Sequence, residues 1–292
     1  DEGLRQYEGF CENAIGSPCD LKGIKMVLDC ANGATFDVAP EIFARMGATV
    51  TVIAAEPDGF NINDSCGSTD TEALQAKVIS SNADLGIAFD GDGDRVIMVD
   101  HQGEIVDGDQ ILFCLANSRK ASRKMLGGVV GTHMSNVGLE LALQKLEIPF
   151  QRSEVGDRFV MQKLLENRWS IGGEASGHIL NLDICPTGDA IVVALQVLSF
   201  MKSEGKSLRD MVGAMEKFPQ VLVNIKREKR LTSTESNRLE AEVDINQRRL
   251  GGSGRIYIRP SGTEPLIRVM VEGEDRKLID DVARELSEII RG

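Results

Sequence analysis

Most of the signatures that announce a protein's function are missing from this chain. No apolar run reaches the roughly 18 residues of a membrane span, and no signal peptide is recognisable at the front. There is neither a G-x-x-x-x-G-K-[ST] loop nor a G-x-G-x-x-G, so nucleotide-binding folds lose their best signal. The six cysteines (Cys11, Cys19, Cys30, Cys66, Cys114 and Cys185) show no C-x-x-C spacing, and Cys30 and Cys114 lie in apolar segments. Free core thiols of a cytoplasmic protein are therefore expected. Basic residues are in the minority, 33 Lys+Arg against 45 Asp+Glu, for a net charge of -12. That balance argues against broad binding to nucleic acid or to an anionic membrane, and still allows a local basic pocket for a small phosphate. The chain opens at Asp1 without a methionine, which leads us to expect sequence upstream of it.

What the chain does have is Asp90-Gly91-Asp92-Gly93-Asp94-Arg95, set between two short apolar runs, 85–89 and 96–99. The runs read as buried strands and the acidic stretch as the loop joining them. Three carboxylates at spacing two repel each other unless something positive sits among them. The intervening glycines let the backbone turn all three toward one centre, as a hard cation with oxygen ligands requires. An EF-hand also begins D-x-D-x-D, but it needs Gly at the sixth position and Glu at the twelfth, where Arg95 and His101 stand. A solvated acidic turn remains the plain alternative. Arg95 beside the acids suits phosphate held next to a magnesium site with few protein ligands.

At 292 residues the chain can hold two or three domains. A lead-in helix is expected over residues 4–15. Strand, turn, helix and strand follow from 24 to 53, then a Gly/Asn/Asp/Ser-rich loop at 55–69 and a helix near 71–80. The pattern recurs from 129 to 151, again with an asparagine in the turn. The expected fold is α/β: two tandem α/β domains with mixed, mostly parallel sheets, then a small α+β domain. The expected pieces are 1–118 for metal, 119–217 for sugar and 218–292 for phosphate, with the first boundary in the basic Ser118–Lys124 stretch.

Three further stretches carry polar chemistry. Arg259-Pro260-Ser261-Gly262-Thr263-Glu264-Pro265, followed by Arg268, offers two hydroxyls, freed backbone N–H groups and two guanidiniums, the parts of a phosphate cradle. The alternative is a Ser-Gly turn with surface arginines. Gly173-Glu174-Ala175-Ser176-Gly177-His178 puts a carboxylate, a hydroxyl and an imidazole on one loop between strands. It misses the G-x-S-x-G elbow and lacks a strand-to-helix turn, which argues against a hydrolase. It suits sugar hydroxyls or an amine, or is a structural turn. Gly156-Asp157-Arg158 and Thr187-Gly188-Asp189 are weaker, and each can be read as a helix cap.

Together, from about Tyr7 onward, these stretches resemble the α-D-phosphohexomutase superfamily and within it the glucosamine branch. The matching motifs are D-G-D-G-D-R at 90–95, G-E-x-S-G-H at 173–178, R-P-S-G-T-E-P at 259–265 and the tail Arg268–Asp275. Gly262 looks like that branch, since phosphomannomutase/phosphoglucomutase relatives tend to carry Asn there, and Asp29–Ala34 points the same way. Ala190 departs from the Gly usual after T-G-D. No T-A-S-H-N-P-type loop with the phosphate-carrying serine is present in the 292 residues. The resemblance is thus to the last three domains of a four-domain enzyme. It implies conversion of glucosamine 6-phosphate to glucosamine 1-phosphate through a phosphoserine and a sugar bisphosphate, a step toward UDP-N-acetylglucosamine and cell-wall precursors. It further implies Mg²⁺ on Asp90, Asp92, Asp94 and a phosphoserine oxygen, with Arg95 steadying the transferred phosphoryl. Glu174, Ser176 and His178 would bind the sugar, with Gly156, Asp157 and Arg158 beside them. Arg259, Ser261, Gly262, Thr263 and Arg268 would bind the distal phosphate. Expected partners are the phosphosugar, the bisphosphate and an upstream phosphoserine domain, with a homodimer left open and no nucleic acid or membrane. Alternatives are a phosphomannomutase/phosphoglucomutase, or a non-catalytic phosphosugar-binding module, against which the intact acidic loop counts.

Overall fold

Alternation of short apolar strands with amphipathic helices sets the topology. The computed structural model describes residues 2–15, 20–227, 231–260 and 265–291. Contacts divide the chain into two compact units. One comprises Asp1–Ser135 with Ala142–Met215, the other Asn136–Leu141 with Glu216–Gly292.

The first unit opens with α1 (Glu2–Ala14), β1 (Lys25–Asp29), α2 (Val38–Arg45), β2 (Thr49–Ile53), α3 (Glu72–Ser81), β3 (Leu85–Phe89), β4 (Val96–Asp100), β5 (Ile105–Val106) and α4 (Gly108–Ala121). It continues with β6 (Val129–Thr132), then α5 (Val137–Lys145), whose first residues cluster with the second unit. After α5 come β7 (Phe150–Ser153), α6 (Asp157–Asn167), β8 (Ile171–Gly173), β9 (Ile179–Asn181), α7 (Ala190–Glu204) and α8 (Leu208–Val212). The strands form two sheets, ordered β2-β1-β3-β4-β5 and β7-β6-β8-β9. In each, a central strand has parallel neighbours on both sides and an antiparallel strand follows. The recurrence seen in sequence is thus a recurrence of topology. β3 and β4 are buried at every position, as strands covered on both faces must be. Val27, Ala88 and Val99 pack under Leu74 and Val78 of α3, and Val130 and Leu180 under Val160 and Leu164 of α6.

α4 was not foreseen; its last turn occupies the front of the Ser118–Lys124 stretch expected to be a boundary. Its cap is nonetheless written in the sequence. Asp107 accepts from the Gln110 amide at 3.2 Å while the Gln110 side chain accepts from the Asp107 N–H at 3.3 Å, a reciprocal capping box.

The second unit is antiparallel. β10 (Gln220–Lys226), α9 (Ser233–Leu250), β11 (Arg255–Pro260), β12 (Leu266–Glu272) and α10 (Arg276–Arg291) give a sheet ordered β10-β12-β11. α10 buries Ile279, Val282, Ala283, Leu286 and Ile290, the i, i+3, i+4 stripe of a helix lying on a sheet. Full burial of each large aliphatic contributes about 1.5–3 kcal/mol. Asn136 belongs to this unit: its Oδ1 accepts from Phe218 N at 3.0 Å and its Nδ2 donates to Phe218 O at 2.9 Å.

Candidate functional site

The acidic loop is a tight connection between antiparallel β3 and β4, whose last and first residues, Phe89 and Val96, are paired. Asp90 organises it from within. Its Oδ1 accepts from the backbone N–H groups of Gly93 (3.1 Å), Asp94 (3.1 Å) and Arg95 (3.0 Å). Gly93 sits at φ +77, where a side chain would be strained. One carbonyl on each side of Asp92 is then clamped from outside: Ala34 N–H donates to Gly91 O at 2.8 Å and Ala190 N–H to Gly93 O at 3.0 Å. Gly33 lies so close that a Cβ there would be 2.3 Å from Gly91 O.

This clamping brings ligand oxygens of Asp90, Asp92 and Asp94 within 4.8 Å of one another. Among the described residues no other set of three or more His, Cys, Asp or Glu is so gathered. Asp94 Oδ1 is buried and makes no hydrogen bond. An orphaned buried carboxylate oxygen beside two further carboxylates fits a hard divalent cation. Arg95 Nε stands 3.7 Å from both Asp90 and Asp94, with its side chain 43% exposed. Ion pairs of that length on an exposed side chain contribute little, so Arg95 can turn to an arriving phosphoryl group. Magnesium is expected to raise the chain's melting temperature once its concentration exceeds Kd, by mass action. Asp92→Asn is expected to abolish that rise in a thermal melt; an unchanged response would place the cation elsewhere.

The Gly173–His178 loop, expected from sequence to bind the sugar and called the sugar loop for that expectation, joins β8 to β9 as a hairpin, closed by Glu174 N–H to His178 O and Gly177 N–H to Glu174 O, both 3.0 Å. It is bound to the acidic loop in three ways. Val96 N–H donates to Gly177 O at 3.1 Å, Arg95 and His178 form an isolated antiparallel bridge, and His178 Nδ1 lies 3.0 Å from Asp94 Oδ2. Gly108 N–H supports the loop from α4, donating to Ala175 O at 3.0 Å, and Glu174 Oε1 accepts from Gly156 N–H at 3.0 Å. Ser176 is exposed at the tip. Asp157 and Arg158 fill the exposed first turn of α6, Arg158 with its guanidinium 4.4 Å from the Phe159 ring centre. Of that trio, it is Gly156 that bonds to the sugar loop, and it is the N-cap of α6.

In the second unit, Arg259 on β11 pairs directly with Arg268 on β12. Residues directly opposite in a sheet share one face, so both guanidiniums are placed to meet a single anion. Ser261, Gly262 and Thr263 lie outside the described residues.

The helix cap read at Thr187-Gly188-Asp189 is present: Asp189 caps α7 by accepting from Val192 N–H at 3.0 Å. What escaped the sequence is the packing of Gly188, where a Cβ would come 2.7 Å from His178 Cε1. The T-G-D signal was visible, and its use here is to back the histidine and start the helix. The departure at Ala190 costs nothing in this arrangement, because its backbone amide makes the contact to Gly93.

The chain belongs to the phosphoglucomutase/phosphomannomutase family. The family's alpha/beta/alpha domain II matches residues 10–103, its alpha/beta/alpha domain III residues 107–218, and its C-terminal domain residues 222–289. Similar relatives include phosphoglucosamine mutases of Pseudomonas aeruginosa (51% identical over 286 residues) and Aliivibrio fischeri (49%), each alignment covering 98% of this chain. The chain spans 64% of those relatives' length. Among solved structures, an N-acetylglucosamine-phosphate mutase in its product complex is similar, with a TM-score of 0.79, 20% identity, and coverage of 97% of this chain and 65% of that one. Aspergillus fumigatus N-acetylphosphoglucosamine mutase in complex with GlcNAc-6P and magnesium gives 0.77 and 21%, with 99% and 70% covered. At these identities the likeness is one of fold. Among the described residues, no helix is long and apolar enough to cross a membrane.

Proposed function

We propose that the chain supplies the cation, sugar and phosphate sites of a cytoplasmic phosphoglucosamine mutase. The enzyme would interconvert glucosamine 6-phosphate and glucosamine 1-phosphate by phosphoryl transfer through a phosphoserine. The observation that carries this reading is the joining of the acidic loop to the sugar loop by the Val96–Gly177 bond, the Arg95–His178 bridge and the His178–Asp94 contact. Phosphoryl transfer through a loose transition state requires positioning and charge neutralisation more than covalent chemistry from the protein.

The division of labour follows the chain. Residues 1–118 hold the cation on Asp90, Asp92 and Asp94, residues 119–217 the sugar, and residues 218–292 the distal phosphate. Mg²⁺ bound there would supply positive charge against the phosphoryl oxygens. Arg95 donates to the transferring group. Glu174, anchored through one oxygen by Gly156, and Ser176 at the loop tip orient the ring hydroxyls and amine. Arg259 and Arg268, with Ser261, Gly262 and Thr263, grip the phosphate that does not react, so the sugar can present either end after turning over.

Calorimetry with glucosamine 6-phosphate tests the phosphate grip. The second ionisation of the phosphate lies near pH ~6, and the dianion makes the stronger charge-assisted bonds, so affinity should fall as pH drops below that value. Arg259→Ala should cost about 1.5–3 kcal/mol of binding, one charged hydrogen bond. Equal affinity for free glucosamine would overturn this assignment.

A further inference from the structure

In sequence α1 reads as a lead-in segment, yet two of its side chains are anchored in the unit that carries the acidic loop. Glu8, 4% exposed, is ion-paired with Arg45 at the end of α2. Tyr7 donates its hydroxyl between the two oxygens of Asp189, at 2.9 Å and 3.0 Å.

Asp189 stands at a junction. Its Oδ1 caps α7 through Val192 N–H, and the amide of the next residue, Ala190, donates to Gly93 O at 3.0 Å. The preceding residue, Gly188, presses on His178, and a Cβ there would also come 3.0 Å from Asp94 O. Residues 188–190 therefore touch the acidic loop at Gly93 and Asp94 and the sugar loop at His178. The orientation of the Asp189 carboxylate fixes the first turn of α7, and the side-chain donor that holds it is Tyr7. Burial holds the Asp189 carboxyl above the usual carboxylate range and keeps the Tyr7 phenol protonated, hence a donor, at neutral pH.

We propose that Tyr7 is a positioning residue for the acidic loop, acting through Asp189 and the Ala190–Gly93 hydrogen bond. It touches none of the three loop carboxylates. The proposal rests on reading Asp90, Asp92 and Asp94 as a divalent-cation site. Without the hydroxyl, a half-buried carboxylate loses its charge-assisted partner, the first turn of α7 loosens, and the clamp on Gly93 O loosens with it.

Two readouts on the 292-residue chain test this. The first needs no cation: amide hydrogen exchange at Ala190 should speed up in Tyr7→Phe, while exchange in α4, capped independently by Asp107, should not. The second is Mn²⁺ titration, with Mg²⁺ competition. Tyr7→Phe should weaken binding about five-fold, the equivalent of one ordinary hydrogen bond. Arg209→Ala, which breaks the Arg209–Asp100 pair elsewhere in the same unit, should leave the affinity unchanged and so controls for general destabilisation. Asp189→Ser keeps a capping oxygen but withdraws from Tyr7. It should reproduce the loss, and the double variant should be no worse than either single one, as coupled residues require. Unchanged Ala190 exchange, or wild-type Mn²⁺ affinity in Tyr7→Phe, overturns the coupling. Absence of saturable binding in the unaltered chain overturns the cation site instead, and the exchange measurement still decides the link from Tyr7 to Gly93.

Discussion

Gly177→Ala is expected to destabilise the first unit by about 3 kcal/mol or more and to uncouple the sugar loop from the acidic loop. Two independent costs add at this residue. Its φ of +94 lies where an L side chain is strained. A Cβ would also fall 2.2 Å from Val96 O, 2.8 Å from Val96 C and 3.0 Å from Val96 N. All three atoms are backbone of a fully buried strand, so nothing flexible can give way. Relief requires the hairpin to lift from β4, which breaks the Val96–Gly177 bond and the Arg95–His178 bridge together. Denaturant unfolding should show the lowered midpoint, and the magnesium-induced rise in melting temperature should shrink with it, since His178 no longer braces Asp94. A variant with wild-type midpoint and wild-type magnesium response would mean that the two loops are not mechanically joined. Gly205→Ala is the matching control, because Gly205 shares a positive φ but has nothing within 4 Å of its Cβ position.

What was legible in the sequence follows a physical rule. Features set by local periodicity and turn chemistry were readable. The strand Thr49–Ile53 closes the strand, turn, helix and strand expected from 24 to 53, and α3 (Glu72–Ser81) fills the helix expected near 71–80. The recurrence of strand, asparagine-bearing turn and helix anticipated two sheets of like order. The two asparagines explain why such a turn recurs. Asn32 accepts from Glu56 N–H, and Asn136 accepts from Phe218 N–H, each fastening a distant segment onto the turn. The acidic loop was readable because three carboxylates so close need a shared purpose. Supports that act across long sequence distance were not readable. Gly108 bonds to Ala175 and Tyr7 holds Asp189, each pair far apart in the chain and each made by an ordinary residue type. α4 was missed for a different reason: the helix is buried on most faces, from Gly108 through Ser118, and so lacks the polar stripe that betrays a surface helix.

The 292-residue chain alone is expected to show no mutase turnover, even with sugar bisphosphate and Mg²⁺ supplied. On the proposed function the loops would orient a phosphosugar, but transfer needs an acceptor oxygen in line at roughly 3–3.5 Å. The serines within the motifs do not offer one. Ser176 is exposed at the tip of the β8–β9 hairpin, and Ser261 belongs to the expected phosphate loop by sequence. Water could serve only by hydrolysing the bisphosphate, a different and slower reaction. The relatives at 49–51% identity extend beyond the match by about a third of their length, room for a further domain of about 100–150 residues. Adding such a domain with its serine loop in trans should restore part of the activity if the pieces dock. The assay is conversion of glucosamine 6-phosphate to its 1-phosphate, paired with mass spectrometry for a phosphorylated serine. Turnover by the chain alone, well above the uncatalysed rate and with phosphate on one of its own serines, would place the nucleophile within these residues and overturn the assignment of Ser176 and Ser261 to binding.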